Sequence, residues 1–204
     1  MSATRLLVLG VVRMHGQAHG YQVRRDLLSW GADSWANVQP GSIYHALKKL
    51  TREGLVAEVT TEGGAGPERT LYQLTDDGET EFMLLLTRSL SEPDRGAESL
   101  GAGVTFFPTL ERETAIALLS LRATRLRGQW ASARQVVDAD GMMGKPEHIR
   151  ELFRLWELTV DAARHWTEQL IDRLKAGEYT MADDAGTHFG QPLRAKALEA
   201  NTQP

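Results

Sequence analysis

Residues 39–74 restrict the possible folds more tightly than any other stretch of this chain. Gln39-Pro40-Gly41 marks a turn, and Ser42 is a suitable N-cap for a helix. Behind it Ile43, Leu47 and Leu50 recur at i, i+4 and i+7, which puts them on one helical face, and Gly54 ends the run. Two β-forming segments follow at once, LVAEVTT over 55–61 and RTLYQL over 69–74, joined by the turn-rich EGGAGPE of 62–68. A short helix held between a Pro-Gly turn and a β-hairpin is compatible with few architectures.

The flanking residues narrow the choice. Leu6, Leu9 and Val12 lie at helical spacing and predict a first helix over 3–14, closed by Gly16. After Gly20, the stretch YQVRRDLLSW predicts a second helix, with Tyr21, Val23, Leu27 and Leu28 as its apolar face and Arg24 and Arg25 pointing elsewhere. Thr75 caps a fourth, containing Phe82, Leu85 and Leu86, and Asp76, Asp77 and Glu79 suit the positive end of its first turn. The order helix, helix, helix, hairpin, helix over residues 1–90 is that of a winged helix-turn-helix.

Charge has to be read locally. The 204 residues carry 23 Lys and Arg against 27 Asp and Glu, a formal net charge of −4, so bulk charge offers no argument for a nucleic-acid partner. Residues 13–52, however, hold six basic residues (Arg13, Arg24, Arg25, Lys48, Lys49, Arg52) and two acidic ones, Asp26 and Asp33. With Ile43, Leu47 and Leu50 inward, the third predicted helix turns Ser42, Tyr44, His45, Lys48, Lys49 and Arg52 outward. Tyr44 and Lys48 share one stripe; His45, Lys49 and Arg52 share the next. These residues, with Arg24, Arg25 and Arg69, are the candidate DNA-binding set. The alternative is a merely solvated face of an amphipathic helix, and Tyr44 can serve both packing and contact.

The stretch PGSIYHALKKLTREGLV, with HGYQV before it and RTLYQLTDDG after it, resembles the PadR family of bacterial winged-helix transcription regulators. Gly20, Tyr21, Pro40, Gly41, Tyr44, Leu47, Leu50, Gly54, Leu55, Tyr72, Leu74, Thr75 and Gly78 match the family pattern, within about the first 85 residues. The resemblance implies a homodimer on a pseudo-palindromic operator in double-stranded DNA, usually a repressor, released by an effector. It also implies the long-C-terminal-domain branch, which dimerises through C-terminal helices. One departure concerns the wing: it holds Glu58, Glu62 and Glu68 and a single cation, Arg69.

The second half reads differently. Residues 91–108 open with the Gly- and Pro-containing SEPDRGAESLGAG and are expected to be a linker. Over 109–177, Ile116, Leu119, Ala123, Leu126, Trp130, Ala133 and Val137 follow the spacing 3-4-3-4-3-4. Ile149, Leu152, Trp156, Thr159, Ala163, Trp166 and Leu170 repeat it. Gly141-Met142-Met143-Gly144-Lys145-Pro146 separates the two, predicting an antiparallel helical hairpin. Leu118, Leu121 and Val136 on one helix and Phe153, Val160 and Leu174 on the other form a second apolar stripe that calls for a partner. A second copy of the chain supplies it symmetrically, with Ile116, Leu119, Leu126, Trp130, Ile149, Leu152, Trp156, Trp166 and Leu170 as the expected dimer interface. A closed monomeric bundle is the alternative. Residues 178–204 are expected to be a flexible tail with one possible short helix over 192–200.

Trp130, Trp156, Phe106 and Phe107 are candidates for an effector pocket for a small aromatic ligand, or else plain core. Asp161, His165 and Glu168 have ligand-like i, i+4, i+7 spacing, but Arg150, Arg154 and Arg164 beside them point to a salt-bridged surface, and no metal or cofactor is expected. Zero cysteines exclude thiolate chemistry and suit the cytoplasm. The longest apolar run, 6–12, is well short of the roughly 20 residues a membrane span needs. Gly63-Gly64-Ala65-Gly66-Pro67 joins two strands and lacks a following Lys-Ser or Lys-Thr, so it is no phosphate loop, and an enzyme is not expected. The expected whole is a mostly α protein with one small β-hairpin. The rival reading is a protein-interaction module whose winged helix no longer reads DNA.

Overall fold

The first helix sets the arrangement of the N-terminal half. In the computed structural model, which describes residues 3–60, 70–138 and 146–192, α1 (Ala3–His15) buries every residue from Leu6 to Val12. A helix apolar all round needs cover on all sides. Here α2 (Gly20–Ser29), α4 (Pro40–Arg52), α6 (Ala97–Phe106) and strand β3 (Thr70–Leu74) supply it. Between them lie a two-residue strand β1 (Ala18–His19), the one-turn α3 (Ala32–Trp35), and strand β2 (Val56–Thr60). The sheet order is β1-β3-β2, all antiparallel, with Glu58 opposite Tyr72 and Ala18 also opposite Tyr72 on the other edge.

Local chemistry fixes the ends of the elements. Pro40 is the first residue of α4 and Gln39 its N-cap, so Ser42 sits inside the first turn, where its hydroxyl donates to the Gln39 carbonyl at 2.7 Å. The expected Ser42 cap is thus corrected: proline has no N–H to satisfy and its fixed φ suits the first helical position. Ile43, Leu47 and Leu50 are buried as the spacing predicts. Thr75 caps α5 (Asp76–Ser91) by accepting from the Gly78 N–H at 3.1 Å, and it donates to the Gly54 carbonyl at 2.8 Å, tying the end of the wing to the stop of α4.

Two expectations for the connecting segments are overturned. Residues 91–108 are not an extended linker: 93–95 and 107–109 are 3-10 turns, and between them α6 packs against α1. Its small residues carry no apolar period, yet Ala102, Gly103 and Phe106 are buried. A Cβ on Gly10 would overlap the ring of the fully buried Phe106. Gly10→Ala is therefore expected to destabilise this unit by about 1 to 3 kcal/mol through overpacking, read as a lowered thermal midpoint. Nor are residues 180–192 a loose tail. Met181 is fully buried and the Ala182 N–H donates to the Leu110 carbonyl at 3.1 Å, so this stretch joins the unit formed by the described parts of 1–89 and 94–111.

The other unit comprises residues 90–93 and the described parts of 112–179. Helices α7 (Arg112–Asp138) and α8 (His148–Lys175) run antiparallel, since Arg112 donates to the Leu174 carbonyl while Arg164 lies over the Trp130 ring. The seam uses Ala115, Leu119, Ala123, Leu126 and Ala133 from α7 and Val160, Thr167, Leu170, Ile171 and Leu174 from α8. Arg122 and Arg125 donate to the Glu92 and Ser91 carbonyls at the end of α5, where a cation complements the negative end of the helix dipole. No helix among the described residues is long and apolar enough to cross a membrane.

Candidate nucleic-acid interface

Helix α4 presents the outward set in a graded way. His45, Lys48 and Arg52 are exposed, and no carboxylate among the described residues pairs with Lys48 or Arg52. Lys49 lies at the flank, 4.0 Å from Glu53. Glu53 also takes the Arg5 guanidinium, which Glu81 holds from the other side at 2.8 Å. Burial works against the Arg5 charge, but these two carboxylates outweigh it and raise its pKa. Ser42, His45 and Lys49 line a groove of about 490 Å³ together with Thr4, Arg5 and Glu53. Lys48 and Arg52 are thus the cations most available to a phosphate, and Lys49 is already partly neutralised.

Tyr44 packs and faces solvent at once. A Cβ on Gly20 would stand 2.9 Å from Tyr44 Cε1, so the ring lies directly on the start of α2, yet the residue remains 43% exposed. Burial, then the Glu58 carboxylate and Tyr44, push the Tyr72 phenol above its ordinary range. Tyr21, expected on the apolar face of α2, is instead 60% exposed beside Gly20. Spacing alone could not separate it from Val23 and Leu27, both of which are buried.

The other cations divide. Arg24 is half-buried and has no carboxylate partner among the described residues. Arg25 is held by Asp26 at 2.9 Å, and the second oxygen of Asp26 meets His15 Nε2 at 2.6 Å. Arg13 pairs with Glu79 at 2.7 Å and lies over the Phe82 ring, so its charge is spent within the domain. The basic excess counted over 13–52 shrinks accordingly. Arg69 and the loop of the wing lie outside the described residues.

The four aromatic pocket candidates are divided between the two units, two in each. Phe106 and Phe107 are core of the first unit: Phe106 is enclosed by Phe82, Trp30 and Phe189 at centroid distances of 5.7 to 6.1 Å. Trp130 and Trp156 belong to the second unit. Trp130 is flanked by Arg134 and Arg164, 5.3 and 5.8 Å from its ring centre, and Trp156 is 40% exposed. Around the acidic residues of α8, Arg164 bonds both Asp161 at 2.7 Å and Glu168 at 3.0 Å, a salt-bridged helix surface. Of the expected dimer residues, Leu119, Leu126 and Leu170 are covered within the single chain; Ile116, Trp130, Ile149 and Trp166 are half-buried; Leu152 and Trp156 are exposed.

Residues 8–83 match the family model described as the transcriptional regulator PadR-like family. The negative transcriptional regulator PadR of Bacillus subtilis (strain 168) is 30% identical over 115 residues, which cover 56% of this chain and 62% of that protein. The chain thus spans about three fifths of the length of the curated relative it matches. Among solved structures, B. subtilis PadR in complex with operator DNA is 21% identical over 83% of this chain and 98% of that one, with a TM-score of 0.38. The same protein in complex with p-coumaric acid is 20% identical over 85% and 99%, with a TM-score of 0.37. A PadR-like regulator from Bacillus cereus, BC1756, is 18% identical over 85% and 99%, with a TM-score of 0.36. Over residues 8–83, the winged-helix unit of this chain is similar to the PadR-like family of transcriptional regulators.

Proposed function

We propose that this chain is a cytoplasmic, dimeric, sequence-specific repressor that inserts α4 into the major groove and leaves its operator when a small aromatic effector binds. The observation that carries the reading is the outer face of α4, where exposed Lys48, Arg52 and His45 stand beside Tyr44 with no carboxylate on Lys48 or Arg52 among the described residues. A helix that only needs solvation has no use for cations kept clear of their own acids. Repression and the effector class are carried over from the B. subtilis relative, named a negative regulator and solved with p-coumaric acid. Dimerisation rests on the exposed leucines and tryptophan of α8, which two-fold pairing covers. Two copies of α4 then meet half-sites about 34 Å apart.

The test is a gel-shift titration with DNA taken from immediately upstream of the chain's own gene, with competitor DNA and a salt series. Lys48, Arg52 and Arg24 from two protomers give six available cations, so the logarithm of affinity should fall against log salt with a slope of roughly −5. A competitor-resistant shift with a slope in that region supports the reading. Binding that competitor abolishes, or a slope close to zero, points instead to an interaction module that does not read DNA.

A further inference from the structure

The segment that returns from the second unit has a use beyond covering the core. It enters at Thr180 after α8 and runs across the winged-helix unit to Pro192. It is attached at several points. Met181 is buried, the Ala182 N–H reaches the Leu110 carbonyl, and the Gly190 carbonyl accepts from Arg13 at 3.0 Å. Near its end the Phe189 ring meets Trp30 at 5.5 Å and Phe106 at 6.1 Å while remaining 43% exposed.

Trp30 sits at the bend of the helix-turn-helix. It is the C-cap of α2, where its N–H bonds the Asp26 carbonyl, and its own carbonyl accepts from the Trp35 indole N–H at 3.0 Å, which holds α3. From α3, the Ala32 carbonyl takes the Val38 N–H at 3.1 Å, two residues before Pro40 begins α4. A chain of contacts therefore runs from Phe189 through Trp30, Trp35 and Val38 to the start of the helix that carries Lys48 and Arg52. A bend made of one-turn and irregular elements has little stiffness of its own and takes its geometry from such contacts.

We propose that residues 180–192 form an intramolecular strap that sets the angle between α2 and α4 for DNA, with Phe189 as its positioning residue. The assignment rests on the DNA-binding reading for its consequence, though the strap's hold on the bend stands by itself. Arg13 serves as the buckle: it spans Glu79 of α5 and the Gly190 carbonyl, and so ties the strap to α1. Gly190 is needed at this point because its φ is +83° and a Cβ there would stand 2.5 Å from Thr109 Cγ2.

The test uses the full-length chain and a duplex that the wild-type chain selects from a random DNA pool. Two variants dislodge the strap by different routes, Phe189→Ala by removing the ring and Gly190→Ala by backbone and steric conflict; Phe189→Tyr keeps the ring. The expected result is at least a tenfold loss of affinity for both alanine variants, near wild-type binding for Phe189→Tyr, and faster amide exchange across α2 to α4 with α7 and α8 unchanged. Wild-type affinity in Phe189→Ala, or exchange across α2 to α4 identical to wild type, overturns the proposal. If the wild-type chain selects no sequence at all, the DNA-binding reading fails, and the exchange measurement still decides whether the strap holds the bend.

Discussion

Lys48→Glu is expected to weaken operator binding by about 2 to 6 kcal/mol in a dimer, since each of two recognition helices loses a contact worth about 1 to 3 kcal/mol. The size of the effect follows from the position of Lys48 on α4. It is exposed and pairs with no carboxylate among the described residues, so its charge is available to DNA. A glutamate there faces the phosphates with the wrong sign. Folding should be untouched, because the α4 residues that hold the domain are Ile43, Leu47 and Leu50 on the opposite face. Lys49→Glu is the instructive comparison. Lys49 already lies 4.0 Å from Glu53 at the flank, so the wild-type residue offers DNA less and its reversal should reduce affinity by a smaller factor. Fluorescence-anisotropy titrations of both variants, with far-ultraviolet circular dichroism as the folding control, give the ranking. Equal affinities for wild type and Lys48→Glu would place the DNA on a different face.

The difference between those neighbouring lysines also marks how far the residues alone could be read. Helical periodicity exposes a face, so the inward triad of α4 and its outward cations were predictable. It does not show which cations are already paired. Arg13 meets Glu79 across 66 positions of chain, and nothing near Arg13 announces that partner. Very short elements escape for another reason: β1 has two residues and α3 four, only about one repeat of their patterns, and a period shows only when it recurs. Helix α6 is hidden by its own small residues, which carry no apolar period and so read as a linker. The strap is invisible for the opposite reason. It has irregular backbone, and single anchors such as Met181 and Phe189 form no pattern. In α8 two apolar stripes compete, and the sequence assigned the seam to the one beginning at Ile149. The folded hairpin buries Val160 and Leu174 of the other together with Leu170 of the first, and leaves Leu152 and Trp156 outside.

That exposed stripe carries the second large expectation, that Trp156→Arg converts a dimer into a monomer without unfolding it. At about 100° per residue, Leu152, Leu155, Trp156 and Thr159 fall on one face of α8, roughly a quarter turn from the intrachain seam. Trp156 is 40% exposed and Leu155 63% in the single chain. Fully covering a leucine is worth about 1.5 to 3 kcal/mol, and two-fold symmetry counts every residue of the stripe twice. An arginine set into such a contact leaves a charge without a partner in a desolvated site, at a cost of several kcal/mol per copy. In the isolated chain, by contrast, the same arginine reaches water, so the hairpin itself should keep its helicity. Leu158 separates this from a general surface effect, because it is 67% exposed but lies about 100° off the stripe, and Leu158→Lys should leave the association unchanged. Sedimentation velocity over a concentration series reads both. A monomer for Trp156→Arg with a dimer for Leu158→Lys assigns the interface to the Leu152–Leu155–Trp156 face. A clean Trp156→Arg dimer removes α8 from the interface, and with it the route by which this chain would place two copies of α4 on one operator.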